Sequence, residues 1–169
     1  MTEHALARML AGLVLLVVLG WLSVIDLRTR RLPDLIVLPT LWLGLVLNAA
    51  TGLFTTPENA ILGTILGYAS LQALAAAYAW RAPGGRAAAA FGGGDLKLAA
   101  LLGAWLGAPS VVAALLIAFV AGTCTVLPLV VSGRYRLREQ VPFGPALATG
   151  GVAALIAGPA LPGILFGGI

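Results

Sequence analysis

Asp95 closes the run Phe91-Gly92-Gly93-Gly94-Asp95 and is followed by Leu96 and Lys97, so a carboxylate stands at the mouth of a hydrophobic stretch in a chain that is only 9% charged. Six acidic residues exist among the 169, and a second, Asp26, ends another apolar run. Charge beside or inside a bilayer is expensive and marks function by default. Two carboxylates held close together share a proton: the ionised one draws a proton from water, and the protonated one polarises a carbonyl. That division of labour is the chemistry of an intramembrane aspartic peptidase, with Asp26 and Asp95 as its two acids.

Each aspartate also has a plainer reading. Asp95 after a glycine run can cap a helix, its carboxylate accepting hydrogen bonds from the free amides of the first turn. Asp26 can belong to an interfacial charge cluster with Arg28, Arg30 and Arg31, a kind of contact that contributes little energy. If the two do work as a pair, their helix ends separate them. Asp95 at a helix N-terminus meets the positive end of the dipole, which favours ionisation and the role of base; Asp26 at a helix C-terminus meets the negative end and suits the acid. Such a pair titrates jointly, so these roles describe microstates. The glycines have a second use, letting a substrate backbone approach Asp95 closely.

The elements that must position these residues follow from composition. With 60% apolar residues and a mean hydropathy of +1.04, 169 residues cannot hide their apolar surface in a water-soluble core. The expectation is an all-α, polytopic membrane protein forming one membrane-embedded domain over 1–169. About 20 apolar residues cross the hydrocarbon, and six windows approach that: about 5–25, 35–51, 60–80, a short one from Asp95 to about 107, 109–131, and one from Pro142 to at least 156. The tail 158–169, with Pro159 and Pro162, reads as a frayed or re-entrant end. Nine of the ten basic residues fall in alternate connections: Arg28, Arg30 and Arg31; Arg81, Arg86 and Lys97; Arg134, Arg136 and Arg138. Short basic loops stay in the cytoplasm, which predicts both termini outside and both aspartates at the cytoplasmic face.

Other chemistries find little support. The first apolar run carries mixed charges before it (Glu3, Arg8) and no small-residue cleavage site after it, so it is expected to be retained rather than removed as a signal. One cysteine, Cys124, allows neither a disulfide nor a cysteine zinc site within one chain, and His4 is the sole histidine, leaving no convincing Ser/His/Asp or Cys/His triad. No cofactor and no metal are expected. The net charge of +4 reflects topology and attraction to the lipid bilayer and gives no reason to propose nucleic acid. Gly63 with Gly67 and Gly103 with Gly107 are small-x-x-x-small pairs that allow close helix packing. Nothing here sets an oligomeric state.

Taken in order, Asp26 followed by Arg31-Leu32-Pro33-Asp34, then FGGGDLKL at 91–98, then Val141-Pro142-Phe143-Gly144-Pro145-Ala146 resembles the type IV prepilin peptidase family, membrane aspartic peptidases with a G-x-G-D motif. The resemblance covers about residues 20–150. It implies that Asp26 and Asp95 are catalytic and that Gly92 and Gly94 are the motif glycines; Lys97, Pro142, Gly144 and Pro145 match further positions near the substrate. Pro142 and Pro145 also have a local explanation, since proline is tolerated in a first helical turn. Asp34 is a reserve carboxylate, although its place after Pro33 suggests a helix start. The family removes a short basic leader from the cytoplasmic side of prepilins or pseudopilins, substrates that carry a hydrophobic helix. A bacterial cytoplasmic (inner) membrane enzyme serving a type IV pilus or protein secretion is thereby implied.

The longer members of that family carry a cytoplasmic domain with paired cysteines, linked to N-methylation of the new terminus. A chain with only Cys124 and no long loop resembles a short form, and cleavage without methyl transfer is expected. Two other readings stand beside the favoured one: another G-x-G-D intramembrane peptidase of the preflagellin type, and a non-enzymatic membrane scaffold in which the aspartates are structural caps.

Overall fold

A computed structural model of the chain describes residues 3–81, 92–132, 143–158 and 160–167. These form seven helices: α1 Glu3–Thr29, α2 Asp34–Thr51, α3 Pro57–Arg81, α4 Gly93–Leu106, α5 Ala108–Val131, α6 Gly144–Ala157 and α7 Ala160–Phe166. No strand occurs among the described residues. Four helices, α1, α2, α3 and α5, are long and apolar enough to cross a membrane, and α6 with α7 make a fifth candidate if counted as one span bent by 107°. The fourth expected span, α4, has only 14 residues, about 21 Å of helix against about 30 Å of hydrocarbon.

Burial explains how so short a helix is kept. Every residue of α4 from Leu98 to Leu106 is buried, as befits a helix apolar all round. It sits at the centre, packed against α2, α3, α5 and α6. The outer helices bear the reverse pattern. Met9, Leu13, Val17 and Trp21 on α1, and Leu35, Trp42 and Val46 on α2, expose their apolar side chains outward, a surface a bilayer covers and water does not. The chain is a multi-pass helical membrane protein.

The glycines of the first pair noted in the sequence pack onto α4. A Cβ on Gly63 would lie 2.5 Å from the carbonyl oxygen of Gly103, and one on Gly67 would strike the backbone of Ala99. So α3 and α4 touch backbone to backbone, the contact that small residues permit. Gly150 makes the corresponding approach of α6 to Ala114 of α5.

Two polar side chains fix α2 on α4. Asn48, fully buried, donates from Nδ2 to the carbonyls of Ala104 (2.9 Å) and Trp105 (3.2 Å), and its Oδ1 accepts the amides of Phe54 (3.0 Å) and Thr55 (3.3 Å). Trp105, also buried, donates from Nε1 to the carbonyl of Thr40 (2.8 Å) across the bare face of Gly44. Helix boundaries follow local rules: Pro57 opens α3, where its missing N–H is not needed, and Gly52 ends α2 at φ +59° with its amide on Asn48 O, the left-handed conformation glycine adopts without strain.

Candidate active site

Three helix ends converge at one end of the bundle: the last turn of α1, which carries Asp26, the first turn of α4, which carries Asp95, and the first turn of α6. Both aspartates are buried, at 4% and 7% exposure. They are near enough for the charge of one to act on the other.

Asp95 is the third residue of α4, which begins at Gly93, two residues before the sequence reading put it. The N-cap is Gly92, and the cap works in reverse: Asp95 Oδ2 accepts the amide of Gly92 (3.0 Å) while the amide of Asp95 donates to Gly92 O (3.0 Å). A side chain reaching back to the N-cap amide is half of a capping box. The plainer reading of Asp95 thus describes a real contact, and it leaves Oδ1 with no hydrogen-bond partner among the described residues.

Asp26 departs from the sequence expectation. It lies in the last turn of α1, but its carboxylate Oδ2 accepts the amide of Gly144 (2.9 Å), the first residue of α6. A second helix N-terminus therefore faces the site. Each carboxyl receives one backbone N–H from a helix start, and Asp26 lies in addition at the C-terminal end of α1.

Gly144 allows that contact. A Cβ there would lie 2.6 Å from Asp26 Oδ2, 2.9 Å from its Cγ and 3.0 Å from its Cβ. Gly94 does similar work on the other carboxylate's segment, where a Cβ would lie 2.7 Å from the Cβ of Leu32 in the α1–α2 connection. Around Gly92 a Cβ would meet Asp95 Oδ2 at an ordinary 3.5 Å, and one on Gly93 would meet nothing within 4 Å among the described residues.

Lys97, one turn along α4, does not reach the aspartate pair. Its Nζ forms an ion pair with both carboxylate oxygens of Asp34 (2.7 and 2.6 Å), the first residue of α2. Asp34 is thereby occupied as a clasp between α2 and α4. Pro145 sits in the first turn of α6, where proline is accommodated; α6 starts at Gly144, whereas the expected start, Pro142, lies outside the described residues, as do Phe91 and the arginines 86, 134, 136 and 138. Among the described residues no cluster of His, Cys, Asp and Glu could hold a metal ion.

Sequence reasoning undervalued two residues. Gly144 appeared only as part of a motif, and its amide proves to be the partner of Asp26. Asn48 passed unnoticed; the signal available was a single amide side chain inside an apolar run, costly in hydrocarbon unless bonded.

A helical membrane bundle that brings two buried carboxylates together, each on the amide of a glycine, defines the class. The chain belongs to the type IV leader peptidase family, whose family model matches residues 13–127. Among curated proteins it is similar to the prepilin leader peptidase/N-methyltransferase of Burkholderia pseudomallei (strain 1026b), 43% identical over 137 residues, which is 81% of this chain and 43% of that protein. The protein of the same name from Dickeya chrysanthemi is 40% identical, covering 80% of this chain and 46% of its own length. That from Neisseria gonorrhoeae is 38% identical, covering 84% and 46%. The chain thus spans about half the length of the curated relatives it matches. No solved structure matches it.

Proposed function

We propose that this chain is a membrane aspartic endopeptidase that removes the leader from type IV prepilins or pseudopilins, with Asp26 and Asp95 as the catalytic pair acting on one water. The observation that carries the reading is the burial of two carboxylates at one end of the bundle, Asp26 and Asp95, 69 residues apart in sequence and close enough for the charge of one to act on the other. In the reaction one carboxylate takes a proton from water as its oxygen attacks the scissile carbonyl, and the other, protonated, hydrogen-bonds the developing oxyanion; the proton then passes to the leaving amine. The amides of Gly92 and Gly144 each hold one oxygen of one carboxyl, orienting the other toward the substrate. Asp95 faces one helix start, whereas Asp26 faces both the start of α6 and the C-terminal end of α1 that carries it, a balance that favours Asp95 as base and Asp26 as acid.

An apolar cleft of about 410 Å³ between α2, α3 and α4, lined by Leu38, Leu41, Ile65 and Tyr68 and reaching Lys97, supports a substrate with an apolar segment. The alternation of basic connections supports a site facing the cytoplasm, both termini outside, and residence in a bacterial inner membrane. The whole chain acts as one membrane-embedded domain. The relatives' names also include N-methyltransferase; with Cys124 as its one cysteine, this chain is proposed to cleave without methylating.

A second reading, helix capping with no catalysis, is favoured by the Gly92 and Gly144 contacts themselves. The purified chain in liposomes, given a panel of prepilin-type substrates and S-adenosylmethionine, tests all of this by product mass. One cut at the leader boundary with an unmethylated new terminus is expected. No cut in any substrate would overturn the peptidase reading, and a methylated product would overturn the last proposal.

A further inference from the structure

Arg8 is the one basic residue of the ten that belongs to no basic connection. It lies 18 residues before Asp26 on the same helix, about 27 Å along its axis, which puts it at the opposite boundary of the bundle. Its one specific contact among the described residues is a cation–π contact with Phe54, 5.7 Å from the ring centroid, and no carboxylate pairs with it.

The guanidinium opens on a cavity of about 600 Å³, lined also by Thr55, Asn59 and Ser110. The side-chain polar atoms of these three have no hydrogen-bond partner among the described residues. Among the described residues of the lining Arg8 is the sole charged one, so they present one cation, two hydroxyls and an amide, and no carboxylate. Arg8, Phe54 and Leu155 also line a second, apolar groove of about 620 Å³ along α1, walled by Met9, Leu13 and Leu16. A cationic, donor-rich head joined to an apolar track at headgroup depth has the form of a single amphiphile with a negative end.

We propose that the cavity and the groove together bind one anionic phospholipid, its phosphate on Arg8 with Thr55, Asn59 and Ser110, and an acyl chain in the groove. A guanidinium at this depth gains from a phosphate partner through paired, charge-assisted hydrogen bonds. The bound lipid would tie α1 to the α2–α3 connection and to the starts of α3 and α5, at the end of the bundle remote from the aspartates.

Native mass spectrometry of the full chain, delipidated and titrated with phosphatidylglycerol or phosphatidylcholine, tests this. Phosphatidylglycerol is expected to be retained about tenfold more strongly than phosphatidylcholine, and Arg8→Gln is expected to lose about tenfold in affinity for it, the worth of one charge-assisted contact. Ser110→Trp keeps the cation but fills the cavity and should lose binding to a similar degree, which decides the matter if Arg8→Gln does not fold. Arg28→Gln, at the other boundary, should change nothing. Equal retention of the two lipids, undiminished binding in Ser110→Trp, or complete displacement by millimolar inorganic phosphate would overturn the proposal, the last by assigning the site to a free anion.

Discussion

Gly144→Ala is the substitution through which the site's geometry can be read most directly. The added methyl would stand 2.6 Å from Asp26 Oδ2, and ordinary contact begins near 3.4 Å, so carboxylate and helix start must separate by 0.8 Å. Neither neighbour is the loose end of a long side chain: one is a short carboxyl on α1, the other the backbone of α6. The separation stretches the 2.9 Å Gly144 amide contact beyond hydrogen-bonding distance. Losing a hydrogen bond to a carboxylate costs about 1.5–3 kcal/mol, and overpacking a tight contact adds about 1–3 kcal/mol. Because a catalytic group displaced by about 1 Å loses on the order of 10²-fold in rate, kcat for leader cleavage in liposomes should fall about a hundredfold. Gly93→Ala, whose Cβ would meet nothing within 4 Å among the described residues, should be indistinguishable from the parent protein. Measured with thermal unfolding in the same detergent, folded Gly144→Ala protein of parental activity would refute the idea that this amide positions Asp26.

Other substitutions test the supports around the site. The Lys97–Asp34 clasp is part exposed, at 36% and 55%, so a double-mutant cycle of Lys97→Ala and Asp34→Ala should give a coupling of about 1 kcal/mol or less, shrinking with added salt. Asn48→Ala should cost about 3 kcal/mol in chemical unfolding, since it strips partners from the buried ends of α2 and α4; Asn48→Asp, which keeps the acceptor but not the donor, should be no better. Gly103→Ala would drive a Cβ into the backbone of Gly63 and should be among the most destabilising methyl additions, about 3 kcal/mol, with Gly20→Ala, which meets nothing, as the silent control.

Much of this was legible in the chain, and the part that was not has a physical cause. Hydropathy marked the outer helices well because α1, α2, α3 and α5 present long apolar faces to lipid. It read α4 as short but not as buried, since an apolar run reads the same whether lipid or protein surrounds it; only burial shows that this 14-residue helix is the core. The glycines at 63, 67 and 103 announced close packing, and the contacts of Gly63 with Gly103 and of Gly67 with Ala99 required coordinates. The two aspartates stood out because charge is rare here, but the Gly144 amide on Asp26 spans 118 positions, and no local rule of helix ends could anticipate a third helix pointing its N-terminus at that carboxyl. Lys97 and Asp34 were each noticed without being paired, for the same reason of distance along the chain.

The central claim is that Asp26 and Asp95 do chemistry beyond capping helices, and asparagine separates the two functions. Its Oδ1 still accepts the Gly92 or Gly144 amide at unchanged volume, while it can neither take a proton from water nor give one to an oxyanion. Cleavage of a co-expressed prepilin should therefore fall by on the order of 10³-fold or more in Asp26→Asn and in Asp95→Asn alike, with expression and thermal stability close to the parent's. Cleavage near the parental rate in both variants would contradict the account.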